Sequence, residues 1–250
     1  MPLDHLPTSR SSMTDSALRI HLVRHAETLF NVRRQLQGWC DSPLTPRGLR
    51  QVEALGEYFA GLPLVAAFSS DLTRTRTTTA GALAGHPHLV PEWMPALREW
   101  NFGGWEGQPN PSLWTPIFEA HGYVYGTAGH WDQLTVEGPD TVIDLIASTD
   151  TSGMAEDAAA VNSRMRDAVA AILGAATSGD VLVVAHGAVL QSLAPLLAPG
   201  ARISPGYPNC GVTTVTISGG RATLGELDAS CALLDESFPA LVLPGAAPVA

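Results

Sequence analysis

The sequence predicts an α/β fold: a three-layer sandwich whose mostly parallel central sheet carries helices on both faces, with a cap region inserted over it. β-prone runs alternate with helix-period segments, the pattern of strands linked by crossover helices. One run, VLVVA at 181–185, is apolar without interruption, as a central strand covered on both faces must be. Residues 108–154 lose any clear period, and this stretch marks the cap.

In chain order, LRIHLVR at 18–24 is the first short strand, carried by Ile20, Leu22 and Val23. The segment 44–62 spaces Leu49, Val52, Leu55, Tyr58 and Phe59 for one helix face, and Thr45-Pro46 supplies an N-cap followed by proline at the first helical position. LVAAFSS at 64–70 is a second strand, and TRTRTTTAGALAG after it is helical. Residues 89–97 hold a short strand ahead of LREWNFGGWEG. The cap, rich in Pro, Gly, Trp and Tyr, reads as loops with short helices. A long helix covers 155–176, Gly179-Asp180 turns into the 181–185 strand, and 188–197 is helical. VTTVTI at 212–217 and RATLGEL at 221–227, separated by Ser218-Gly219-Gly220, close the fold as a hairpin. The domain expected is therefore 18–228, with flexible tails at 1–17 and 229–250.

Composition narrows the partners. The formal charge is -10 and all 14 basic residues are arginine, so neither nucleic acid nor an anionic membrane is expected. A small anionic substrate stays open, because a few arginines can converge locally. Cys40, Cys210 and Cys231 are odd in number and lack CxxC spacing, which speaks for a reducing cytoplasm and against a disulfide framework or a zinc site. The apolar window 181–199 approaches the length of a membrane span, but His186, Gly187, Gln191 and Pro195 make strand, turn and helix the better reading.

The chemistry sits at element ends. Arg24 and His25 fall where the first strand runs out, in LVRHAET, and His186 ends the apolar strand in VVAHG. Either histidine alone would more often be structural. Together, at the carboxyl ends of two parallel strands, they point into one crevice. Arg74 lies on the first turns of a helix, where anions are favoured, and a guanidinium grips phosphate with two hydrogen bonds. Glu99 stands among aromatic residues and glycines, where partial burial would raise its pKa. These groups permit phosphoryl transfer. Arg24, Arg74 and His186 neutralise a phosphate dianion, a neutral imidazole attacks phosphorus, and the carboxyl group gives and then takes a proton.

Here the motifs resemble a known family, the histidine phosphatase (phosphoglycerate mutase-like) superfamily, branch 1. LVRHAET with Asn31 downstream is similar to its Arg-His-Gly-Glu-Thr signature. SSDLTRTRTTTA is similar to its second arginine motif, LREWNFGGWEG to its acid motif and VVAHG to its second-histidine motif. Smaller echoes are DSPLTPRGLRQ, AEDAAAVNSRM and PNCGVTTV, all in the family's order across 18–228. The resemblance implies His25 as nucleophile, Glu99 as proton donor and Arg24, Arg74 and His186 as phosphate ligands. It adds Asn31 as a further contact and a backbone amide at Gly187 or Ala188. It implies no metal or organic cofactor. Ala26, Thr75, Asn101 and Ala155 depart from the family pattern, and 137–153 reads as extra chain, without removing a catalytic group.

Other candidates read as structural. Arg76, two residues beyond Arg74, faces elsewhere on a helix; Arg33 and Arg34 form a solvated face, and Glu27 and Thr28 shape the nucleophile loop. His86 and His88 have metal-ligand spacing, but among Gly85, Pro87 and Pro91 they decorate a loop. Of His121, Tyr123, Tyr125, His130 and Trp131, one or two are expected to line a leaving-group pocket. The leading expectation is a phosphomonoesterase acting on a small phosphorylated metabolite. A phosphoglycerate mutase and a non-catalytic phospho-ligand binding module are the alternatives, and a homodimer is left open. Residues 108–154 contain neither arginine nor lysine, which favours hydrolase over mutase, since a bisphosphate needs positive charge to stay bound.

Overall fold

A computed structural model describes residues 17–136, 138–204 and 206–234. Six strands form one sheet: β1 (Leu18–Arg24), β2 (Leu64–Ser69), β3 (Glu92–Trp93), β4 (Gly179–Ala185), β5 (Val212–Ser218) and β6 (Arg221–Asp228), in the order β3-β2-β4-β1-β5-β6. The pairs β1·β4, β2·β4 and β2·β3 are parallel, and the terminal hairpin β5–β6 adds to β1 antiparallel.

Alternation along the central strands explains the layers. Ile20 and Leu22 of β1, with Val181, Val183 and Ala185 of β4, enter one core, whereas Val23, Leu182 and Val184 enter the other. Helices α2 (Pro46–Phe59) and α3 (Thr73–Ala82) cover the second face through Leu55, Phe59 and Ala82. Helices α7 (Ala158–Ala175) and α8 (Gly187–Leu197) cover the first through Val161, Met165, Ile172, Leu190 and Leu193. Thr45 caps α2 by accepting from the Gly48 amide, with Pro46 at the start of the helix.

The parallel register of β1 on β4 is pinned by the buried Asp180. Its carboxylate accepts Nε and Nη2 of Arg19 at 2.6 and 2.5 Å and lies 2.8 Å from Nε2 of His21. In this register Arg24 stands opposite Ala185, so the residues that follow, His25 and His186, leave the sheet side by side.

Several expectations need correction. The strand read over 89–97 is only the two residues of β3, followed by a 3₁₀ turn at Pro95–Leu97. The cap is more helical than its composition suggests: besides the short α1 (Leu29–Arg33) before it, it holds α4 (Asn110–Ala120), α5 (His130–Leu134) and α6 (Pro139–Thr149). Within the extra chain of 137–153, α6 buries Val142, Ile143 and Ile146 in the main core. Residues 229–234, assigned from sequence to the tail, include a 3₁₀ turn seated on α2: Cys231 and Ala232 are buried and the Ala232 carbonyl accepts from Gln51 and Arg47. The rest of that tail, and the N-terminal tail up to residue 16, lie outside the described residues. The window 181–199 is β4 followed by α8, and no helix of the described residues is long and apolar enough to cross a membrane.

Candidate active site

The carboxyl ends of β1 and β4 meet the start of α8, and the expected groups converge there. His25 is buried, and its Nδ1 lies 2.8 Å from the Ala26 carbonyl. A carbonyl can only accept, so Nδ1 carries the proton and Nε2 presents its lone pair. Ala26, where the family pattern has glycine, keeps a negative φ, so its methyl causes no backbone strain. Burial, then the charges of Arg74 and Arg24, hold the His25 imidazole well below the ordinary histidine range.

His186 is the N-cap residue of α8 and its ring centroid lies 5.2 Å from that of His25. Nε of Arg74 donates to His186 Nδ1 at 3.2 Å. That bond makes Nδ1 the acceptor and leaves the proton on Nε2, which is buried without a protein partner. Burial and the Arg74 charge also keep His186 well below the usual range. Arg24 donates from Nη1 to the Tyr207 carbonyl, while its buried Nε has no protein partner. Two donors, Arg24 Nε and His186 Nε2, are thus buried and, among the described residues, unmatched by protein. Such groups cost free energy unless a ligand meets them.

Arg74 is present as expected but is committed differently from a free phosphate clamp. Its five N–H groups all have protein acceptors: His186 Nδ1, the carbonyls of Cys40 (2.9 Å), Gln37 (3.3 Å) and Gly38 (2.7 Å), and Asp41 Oδ1 (2.8 Å). The physical reason is a loop, 37–41, that turns its carbonyls inward around the guanidinium. A second carboxylate holds that loop from outside: Glu106 accepts the amides of Gly38, Trp39, Cys40 and Phe102 at 2.8–3.2 Å. A Cβ on Gly38 would lie 2.1 Å from the Trp100 carbonyl, so only glycine fits there.

Glu99 is buried at the start of α8, where its carboxylate accepts the amides of Trp100 (3.0 Å), Ala188 (2.9 Å) and Val189 (2.7 Å). Burial raises its pKa; the three amides and the Arg74 charge pull the other way without overcoming it. Arg164 positions the loop beneath it, donating to the carbonyls of Ala96, Arg98 and Glu99 while paired with Glu156. Asn31 closes the capping box of α1, and Asn209 Nδ2 donates both to the His25 carbonyl (2.8 Å) and to Asn31 Oδ1 (3.2 Å). Arg24, His25, Asn31, Glu99 and Gly187 share one cavity of about 500 Å³.

Of the cap aromatics, Tyr125 and Trp131 line this cavity and His121, Tyr123 and His130 do not. His86 is not loop decoration: it is buried and its Nε2 bonds the Phe59 carbonyl at 2.8 Å. Arg76 lies over the Trp93 ring, Arg33 and Arg34 are exposed, and Glu27 clamps its loop through Thr45 and Arg47. Sequence reasoning passed over Asp41, Glu106, Arg164, Tyr207 and Asn209. Each falls within or beside a motif already quoted, but only Asp41, Glu106 and Arg164 offered a charged side chain as a signal.

Comparison with known proteins agrees with this geometry. The family model of the histidine phosphatase superfamily (branch 1) matches residues 20–122 and 126–229. A probable phosphoglycerate mutase GpmB of Yersinia pestis (strain Pestoides F) is 33% identical over 176 residues, covering 70% of this chain and 73% of the relative. A crystal structure of phosphoglycerate mutase from Bacillus anthracis str. Sterne superposes with a TM-score of 0.75 at 29% identity, covering 87% of this chain and 96% of that one. The mycobacterial glucosyl-3-phosphoglycerate phosphatase Rv2419c shares the fold, with a TM-score of 0.60 at 24% identity over 83% of this chain and 97% of that one. The fold, the paired imidazoles and the family match together make this chain a member of branch 1 of the histidine phosphatase superfamily.

Proposed function

We propose that the protein is a metal-independent phosphomonoesterase that hydrolyses a small phosphorylated metabolite through a phosphohistidine on His25. The observation that carries this reading is the bond from His25 Nδ1 to the Ala26 carbonyl, which leaves Nε2 unprotonated in a site rich in positive charge. Arg24 Nε and His186 Nε2 hold the phosphoryl oxygens, with the Gly187 amide beside them, because the Ala188 amide is already given to Glu99. Asn31, its Oδ1 held by Thr28 and Asn209, has its NH₂ to offer the ester. Arg74 supplies charge and orients His186. It reaches phosphate directly by exchanging its longest bond, to the Gln37 carbonyl.

In the first step His25 Nε2 bonds to phosphorus as the ester P–O bond breaks, and Glu99 gives its proton to the departing oxygen. In the second, water attacks phosphorus, Glu99 takes its proton, the P–N bond breaks and inorganic phosphate leaves. The free Cys40, Cys210 and Cys231 suit a reducing compartment such as the cytoplasm.

The test is a rapid quench with a ³²P-labelled ester in the presence of a chelator. The reading expects an alkali-stable, acid-labile label on His25 and turnover that disappears in His25→Ala. Turnover abolished by the chelator, or hydrolysis with no label on His25, would overturn it. The relatives named phosphoglycerate mutase make the mutase the second reading. It predicts rapid conversion of 3-phosphoglycerate to 2-phosphoglycerate when catalytic 2,3-bisphosphoglycerate is added.

A further inference from the structure

The cavity over His25 changes character away from the nucleophile. Apart from Arg24, His25 and Glu99, the described residues of its lining are aromatic rings, amides, Leu36, Ala188 and glycines. The cap supplies three of the rings, Trp114, Tyr125 and Trp131, and Phe118 behind them links Tyr125 to the two indoles. Trp131 meets Trp114 edge-on at 4.9 Å and stacks on Phe118 at 5.6 Å, and Phe118 meets Tyr125 at 5.5 Å. Such a set offers a rigid apolar face at little entropic cost on binding.

Two polar atoms on residues that line the cavity are buried and, among the described residues, unmatched by protein. Trp131 Nε1 is a donor and Gln35 Oε1 an acceptor. The Gln35 amide is oriented because its Nε2 donates to the Gly107 carbonyl at 2.8 Å, which fixes where Oε1 points. Both atoms call for a ligand that brings an acceptor and a donor to them. A carboxylate finds no cationic counterpart in this wall among the described residues. Among the described residues Arg24 is the only arginine in the lining and is taken by the phosphate, and Arg34, whose charge reaches Tyr125, is exposed and outside the lining.

Resting on the phosphatase reading, we infer that the alcohol part of the ester is a flat, uncharged, aromatic group carrying hydrogen-bonding atoms, seated against Trp131, Trp114 and Tyr125. Phosphoglycerates and other carboxylate-bearing esters are then poor substrates.

The test compares 2-phenylethyl phosphate, glycerol 3-phosphate and 3-phosphoglycerate. All three release a primary alkoxide, so differences report on the wall rather than on leaving-group acidity. The expected kcat/KM for the aromatic ester is about tenfold or more above either of the others, the scale on which an apolar pocket discriminates. Trp131→Ala brings that ratio close to one, whereas Trp131→Phe, which keeps a ring in place, preserves most of it. Equal or better turnover of 3-phosphoglycerate or glycerol 3-phosphate overturns the inference alone. So does a ratio indifferent to Trp131→Ala in a variant whose melting temperature shows it folded. No turnover of any of the three, with no label on His25, sinks the phosphatase reading and this inference with it.

Discussion

Arg74 Nε donates to His186 Nδ1 at 3.2 Å, and through this bond a residue with no spare donor decides which nitrogen of the second imidazole faces the substrate. Lysine cannot reproduce the arrangement: it has three donors on a flexible stem, against five acceptors set for a planar fork. Arg74→Lys is expected to lower kcat by about 10²-fold, the scale for losing one preorganised donor at a developing charge. Steady-state rates on any accepted ester check it, and an unchanged kcat would show that His186 needs no such guide.

Glu99→Gln removes the proton donor while keeping the shape. For an alkyl phosphate kcat/KM, which reports cleavage of the ester, should fall by about 10²- to 10⁴-fold. For p-nitrophenyl phosphate, whose phenolate leaves without a proton, the drop should be far smaller. Equal losses on both esters would assign Glu99 a purely structural role at the start of α8.

The pH dependence follows from the directions of the shifts. His25 is held below the ordinary histidine value, so it stays neutral and nucleophilic as pH falls through about 6.5, and the acid limb of kcat/KM lies below that. Glu99 is raised, so the loss of its proton sets an alkaline limb above the ordinary carboxylate range. Stability runs the same way. The folded pKa values of His25 and His186 lie below their unfolded ones, so protons bind the unfolded chain first. Their contribution is full above about pH 6.5 and is lost as pH falls from there through the folded values. A pH series of kcat/KM and of urea midpoints tests both limbs; an acid limb centred at the ordinary histidine value would contradict the burial argument.

Gly103 has φ +58, and a Cβ there would lie 2.1 Å from Asp150 Oδ2 and 2.6 Å from the Ala155 amide. Asp150 gathers the amides of Gly104, Ser152, Met154 and Ala155 at 2.8–3.1 Å, tying the end of α6 to the loop that carries Glu99. Gly103→Ala is expected to cost about 2 kcal/mol of folding stability, from backbone strain together with the displaced carboxylate. Chemical denaturation measures it, and a variant as stable as the parent would show that the turn relaxes freely.

The legible parts of the chain were those where a local rule and the tertiary structure agree. The Thr45-Pro46 cap and the apolar run of β4 announce their elements directly. The four groups Arg24, His25, Arg74 and His186 stand at the ends of strands or on the first turn of a helix. The cap was less legible for a physical reason. Leu113, Trp114, Ile117 and Phe118 do share a helix face, but Pro109, Pro111 and Pro116 interrupt the pattern that would reveal it. The saturation of Arg74 was invisible, since three of its acceptors are backbone carbonyls, which every residue possesses.

Asp180, by locking two neighbouring strands against sliding, separates the reaction from the choice of what is cleaved. The gap between the imidazoles is inherited from the hydrogen-bond ladder behind them, whereas Asn110, Trp114, Tyr125 and Trp131 of the surrounding wall come from a stretch inserted elsewhere. Changing those four side chains should alter which esters are accepted while leaving the two imidazoles at their present separation.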